Sequence, residues 1–186
     1  MIELIKINHH VHGDFQPAPP SQLTAEQIGQ YYDIFVSASY DIVMMVSTPE
    51  GLKILLGRRS QEPKVWWTIG RTIRPGEAPS DTVHRTLKEE FELEWSREKI
   101  EERMQFICIN SNVFSVRDQP PEENGRHCLV VVFSLETEEQ DIEKFVVSST
   151  SKYREMKWFF VSEVDSTFDP VIQATVKSLK LKLDTG

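Results

Sequence analysis

WWTIGRTIRPGEAPSDTVHRTLKEEFELE, residues 66–94, changes its rule of construction halfway. It opens as a short strand with paired tryptophans. Pro75 and Gly76 then forbid one continuous helix. Beyond them, Ser80 or Asp81 can cap a helix that continues to about Leu93. Val83 and Leu87 lie one turn apart and face a core, while Thr86, Glu89 and Glu90 share a neighbouring face. Arg85, four residues before Glu89, can pair with it, and Glu77 sits in the turn that Gly76 permits. A solvated amphipathic helix with ordinary pairs of about 0.2–0.5 kcal/mol each would account for the spacing. Adjacent carboxylates repel, however, and a hard divalent cation gives them a reason. Magnesium takes oxygen ligands and keeps several waters for substrate phosphates.

Outward from this stretch, the chain alternates between two periodicities. YDIVMMVS and LKILLGRRS are strands joined by the turn TPEG, and MQFICINSNVFS and RHCLVVVFSLE are two longer ones. The last has an almost unbroken apolar run, so both its faces are expected to be covered. REMKWFFVSEV is a further strand. At the end Asp169 can cap, Pro170 fits the first helical position, and Ile172, Val176, Leu179 and Leu183 form one apolar stripe. Strands, a helix, more strands and a terminal helix predict a mixed sheet with helices on both faces. Upstream, residues 1–37 read as an N-terminal extension before a domain over residues 38–186. The extension holds a short strand MIELIKI, a Pro-rich connector and a helix TAEQIGQYYDIF, in which Thr24 and Gln27 have capping-box spacing.

Composition narrows the function classes. The chain has 186 residues and a formal net charge of −8, which disfavours broad binding to nucleic acid or an anionic membrane but allows a local cation cluster. No apolar run approaches the roughly 20 residues needed to span a bilayer, and no signal peptide is evident. The two cysteines, Cys108 and Cys128, lie inside apolar runs and fit no zinc spacing. Buried free thiols in a reducing cytoplasm are the expectation.

The stretch also resembles the Nudix box, the signature of hydrolases acting on a nucleoside diphosphate linked to another group. The family pattern is a glycine, five residues, a glutamate, seven residues, then Arg-Glu-apolar-any-Glu-Glu-any-Gly-apolar. Glu77, Arg85, Leu87, Glu89, Glu90 and Leu93 fall in place. LLGRRS before the box and KWFFV late in the chain add to the likeness, which covers roughly residues 38–183. The resemblance implies an α/β fold, a Nudix-like α/β/α sandwich around a mixed β-sheet, and a magnesium- or manganese-dependent hydrolase. In that reading Glu89 and Glu90 hold the ion and carry catalysis, the Gly70 backbone helps, and Glu77 and Arg85 are structural. The small-molecule partner is a nucleoside diphosphate derivative, and a homodimer is compatible with the family.

Three positions depart from the pattern. Arg71 stands at the first glycine, with Gly70 one residue earlier. Thr86 replaces a glutamate that is commonly a metal ligand, and Glu92 replaces the second glycine. Losing a carboxylate at 86 should reduce the number of ions held. A box with similar losses occurs in the GDP-mannose mannosyl hydrolase branch, which attacks the sugar carbon. That branch has a histidine base five residues before the late tryptophan, where this chain has Tyr153. The expected substrate is a nucleotide sugar such as GDP-mannose. The alternative is a degenerate domain that binds a nucleotide or protein partner without catalysis. Among Arg58, Arg59, Arg71 and Arg74, the phosphate contacts are assigned to Arg58 and Arg71, since guanidinium groups match phosphate oxygens in pairs.

Overall fold

A computed structural model describes residues 7–14, 23–60, 64–149 and 151–185. The strand expected at MIELIKI and most of the Pro-rich connector lie outside the described residues. α1 (Ala25–Ile34) follows the Thr24 capping box, in which the Gln27 side chain and Thr24 hydroxyl exchange bonds with each other's backbone N–H. The strands are β1 (Ser37–Thr48), β2 (Gly51–Arg59), β3 (Trp66–Trp67), β4 (Ile69–Thr72), β5 (Met104–Phe114), β6 (Arg126–Glu136) and β7 (Tyr153–Phe160). The remaining helices are α2 (Pro79–Phe91), α3 (Arg97–Arg103) and α4 (Pro170–Thr185). α3 was not foreseen. It is short, capped by the Ser96 hydroxyl, and buries only Ile100, too little for a visible stripe.

The sheet runs β3-β2-β1-β6-β5, with β4 pairing to β1 and β7 to β2. β1 and β6 are parallel and the other pairs antiparallel, so the sheet is mixed. Alternation sorts its side chains into two cores. Ile42, Met44, Leu55, Ile69 and Leu135 join Val83, Leu87 and Phe91 of α2. Val43, Ile54, Leu56, Val130 and Val132 join Ile172, Val176 and Leu179 of α4. This is the expected α/β/α sandwich. Leu183, placed on the α4 stripe from the sequence, is exposed. Among the described residues no helix is long and apolar enough to cross a membrane, and both cysteines are free thiols.

Two local findings refine the reading of the box. The tryptophan strand is broken at Thr68: β3 pairs with β2 while β4 crosses to β1. α2 starts at Pro79 rather than at a serine cap, with the Asp81 carboxylate accepting from the Ala78 N–H at 3.0 Å. It ends at Phe91, because Glu92 has φ +58° and turns the chain left-handed. That is the position where the family pattern has glycine. An L-residue there is strained by about 1 kcal/mol. Glu92 also accepts a hydrogen bond from the Ser148 hydroxyl at 3.0 Å. Glu92→Gly and Glu92→Ala both remove that bond, so their difference isolates the backbone. The glycine variant should be the more stable by about 1 kcal/mol in urea unfolding.

Candidate active site

The turn before α2 is held by one ion pair. Arg85 Nε and Nη2 each donate at 2.7 Å to the two Glu77 oxygens, and Nη2 also donates to the Thr72 carbonyl at 3.0 Å. Glu77 further accepts from the Arg74 N–H and the Thr82 hydroxyl, both at 2.9 Å. Burial pushes the Glu77 carboxyl upward, but these hydrogen bonds outweigh it and hold it below its ordinary value. Arg85 does not pair with Glu89, contrary to the helix-spacing expectation, since the tighter two-pronged partner is Glu77 across the turn.

Thr82, Thr86 and Glu90 form a buried row along α2, beside the Val83–Leu87 core row. The Thr86 hydroxyl donates to the Thr82 carbonyl at 2.8 Å, turning back onto its own helix. Glu90 is fully buried. One of its oxygens accepts from the Ser151 hydroxyl. The other lies 2.7 Å from Arg71 Nη2 but without hydrogen-bond alignment. Arg71 Nη1 meets Glu89 at 2.7 Å, and Arg74 stands 3.6 Å from the same carboxylate. Arg71 therefore bridges the two adjacent glutamates.

A second buried group faces this one across β4. The Gly70 carbonyl accepts from Lys152 Nζ, and its N–H donates to the Tyr153 hydroxyl at 3.2 Å. Tyr153 in turn donates to the Thr68 carbonyl at 2.9 Å. Asp41, buried on β1 opposite Gly70, accepts from Thr68 at 2.6 Å and Ser39 at 3.2 Å. Burial lowers the Lys152 amine to about 8, against the pull of Asp41 and Glu90. Burial likewise raises the Asp41 and Tyr153 groups. At the position where the mannosyl hydrolase branch carries its base, this chain thus has a phenol locked between two backbone groups.

These residues open on a pocket whose lining includes Asp41, Gly70, Arg71 and Lys152, with Arg59 and Arg126 on its rim and Trp67 and Phe114 as aromatic wall. Arg59 and Arg126 stack on the Phe114 ring at 5.8 and 5.2 Å from its centre. Among the described residues neither has a carboxylate at ion-pairing distance. Arg59 is destabilised as a cation first by burial and then by Arg126. Arg58, expected to contact phosphate, is exposed and does not line this pocket. Its neighbour Arg59 does. Sequence reading also missed Asp41, Arg126 and Lys152. Asp41 left one signal, a lone carboxylate inside the apolar run YDIVMM; the other two left none.

The donor set foreseen for magnesium or manganese was Glu89, Glu90 and the Gly70 carbonyl. Each of the three already meets a cation of this chain, Arg71 or Lys152. Among the described residues no group of three or more His, Cys, Asp or Glu could hold a metal ion. As folded, the donors do not fit a divalent ion, which would have to displace both cations.

A NUDIX domain model matches residues 39–179, and the chain belongs to that family. Membership places it among the Nudix-type hydrolases of nucleoside diphosphate derivatives. Solved structures of similar fold include an Ap4A hydrolase binary complex from C. elegans, at 14% identity and TM-score 0.56, covering 81% of this chain and 100% of that one. The NUDIX domain of Shewanella oneidensis NrtR complexed with ADP ribose aligns at 16% and 0.53, covering 83% and 97%. The Nudix hydrolase RenU from M. smegmatis aligns at 14% and 0.55, covering 80% and 86%. No curated protein matches the chain.

Proposed function

We propose that this domain binds and hydrolyses a nucleoside diphosphate derivative, with the diphosphate seated in the pocket between β4, the start of β6 and Lys152. The observation that carries this reading is the convergence of Arg59, Arg71, Arg126 and Lys152 on one pocket of an acidic chain, beside the Nudix box. Four cations line the pocket with Asp41 as its one lining carboxylate, and although Arg71 is shared with Glu89 and Glu90, Arg59 and Arg126 have no ion-pair partner among the described residues, which suits a polyanion. The chain's own work in the reaction is to bind the phosphate oxygens and to neutralise charge as the nucleoside diphosphate leaves. Trp67 and Phe114 wall the site and limit water. Nucleotide sugars, GDP-mannose-like compounds first, remain the favoured substrates. A diphosphate leaving from a sugar carbon needs less added positive charge than attack on an anionic phosphorus. Arg71 bridging Glu89 and Glu90 supports a second reading, a domain that holds such a ligand without turning it over.

The test is a screen of nucleoside diphosphate derivatives in labelled water, with magnesium or manganese and with a chelator, products being identified by mass. Label in the free sugar is the expected result. Label in the nucleotide would replace carbon attack by phosphorus attack. Saturable binding with no product under any condition would select the second reading.

A further inference from the structure

We propose that Arg71 stands in for the divalent cation, so that the pocket takes a diphosphate directly on protein cations with no metal ion between. This inference rests on the diphosphate reading above. Two of the box's departures carry it. Glycine to Arg71 adds one positive charge, and glutamate to Thr86 removes one negative charge. Together they shift the site by two units, the charge of one divalent ion. The structure places both changes where an ion would act. Thr86 lies one turn before Glu90 on the buried row of α2, and the Arg71 guanidinium touches both glutamates at 2.7 Å while lining the pocket. A planar guanidinium joined to two carboxylates is already anchored, so it holds its charge at the pocket wall without the entropy loss a mobile side chain would suffer. Its Nε–H is buried without a hydrogen-bond partner, so a small shift that brought a phosphate oxygen to it would satisfy an orphaned donor. Lys152 completes the substitution beside Arg71 by occupying the Gly70 carbonyl. Arg59 and Arg126, both without an ion-pair partner among the described residues, supply the outer phosphate contacts.

The probe is inorganic pyrophosphate, which carries the diphosphate without a base or sugar, titrated calorimetrically into the parent protein with chelator and then with magnesium. Binding in chelator, with affinity changed by less than about threefold on adding magnesium, is the expected result. Arg71→Gly should weaken binding in chelator about tenfold or more, the loss of one charge-assisted contact. The double variant Arg71→Gly with Thr86→Glu restores the family pattern at two of its three departing positions, and its pyrophosphate binding should become dependent on magnesium or manganese. A melting curve for each variant reports folding, and the parent titration decides the matter even if both variants unfold. Binding by the parent only when magnesium is present would overturn the inference and leave the diphosphate reading intact. No binding under either condition would remove both.

Discussion

Gly70→Ala should destabilise the protein by about 3 kcal/mol or more and should weaken pyrophosphate binding with it. A Cβ built on Gly70 would stand 2.1 Å from Asp41 Oδ1, 2.4 Å from Asp41 Cγ and 2.5 Å from the Tyr40 carbonyl oxygen. None of these atoms can yield cheaply. The Tyr40 oxygen is backbone of β1, and the Asp41 carboxyl is buried and held by Thr68 and Ser39. β4 would have to lift from β1, opening the Asp41–Gly70 pairing. That movement also strains two buried bonds to Gly70, its N–H to the Tyr153 hydroxyl and its carbonyl from Lys152. Overpacking alone amounts to about 1–3 kcal/mol, and each compromised buried bond adds about 1 kcal/mol. Urea unfolding gives the stability, and the same calorimetry gives the binding. A loss under about 1 kcal/mol would show that β4 does not sit against Asp41 as described.

The second large effect is expected far from the box, at Arg117. Its side chain is fully buried. It donates to Asp33 Oδ1 at 2.7 Å, to the Gln119 carbonyl at 2.9 Å and to the Gly125 carbonyl at 3.1 Å. Asn124 meets the same Asp33 oxygen at 3.0 Å. Arg117 thereby ties α1 to the connector between β5 and β6. The structure makes that connector a clamped loop. Gly29 of α1 seals the contact, since a Cβ there would fall 1.9 Å from the Pro120 carbonyl oxygen. Arg117→Ala leaves the buried Gly125 carbonyl and the half-buried Gln119 carbonyl without their donor, while Asp33 stays in solvent, and should lose about 2–3 kcal/mol. Arg117→Lys should recover little of it, because one ammonium cannot reach three diverging acceptors. Limited proteolysis should then cut within residues 117–125 and ahead of residue 37. Arg126 stacks on Tyr32 of α1 at 5.8 Å, so the pocket rim should loosen as well. A lysine variant as stable as the parent would refute the clamp.

These two positions mark where sequence reading stopped. Hydrophobic period alone determined the strands, α2 and α4, because the rule that sorts Ile42 from Val43, or Val83 from Thr82, acts over one to four residues. Two caps were equally legible, Thr24 with Gln27, and Asp169, whose carboxylate accepts from the Val171 N–H at 2.9 Å, whereas the start of α2 was misplaced. The Nudix spacing marked the box and the special standing of Arg71, Thr86 and Glu92. Tertiary structure decided the rest. Nothing local tells Arg71 to bridge Glu89 and Glu90, or Arg85 to choose Glu77 over Glu89. Lys152 reaches the Gly70 carbonyl across 82 residues of chain, and Arg117 reaches Asp33 across 84. Whether Arg58 or Arg59 enters the pocket depended on how β2 was set in the sheet among β1, β3 and β7. A charged side chain acquires its partner only after the backbone has paired, and that pairing is fixed by apolar burial in which the charge takes no part. The apolar pattern therefore determined the frame, and the assembled frame determined which cations face the phosphates.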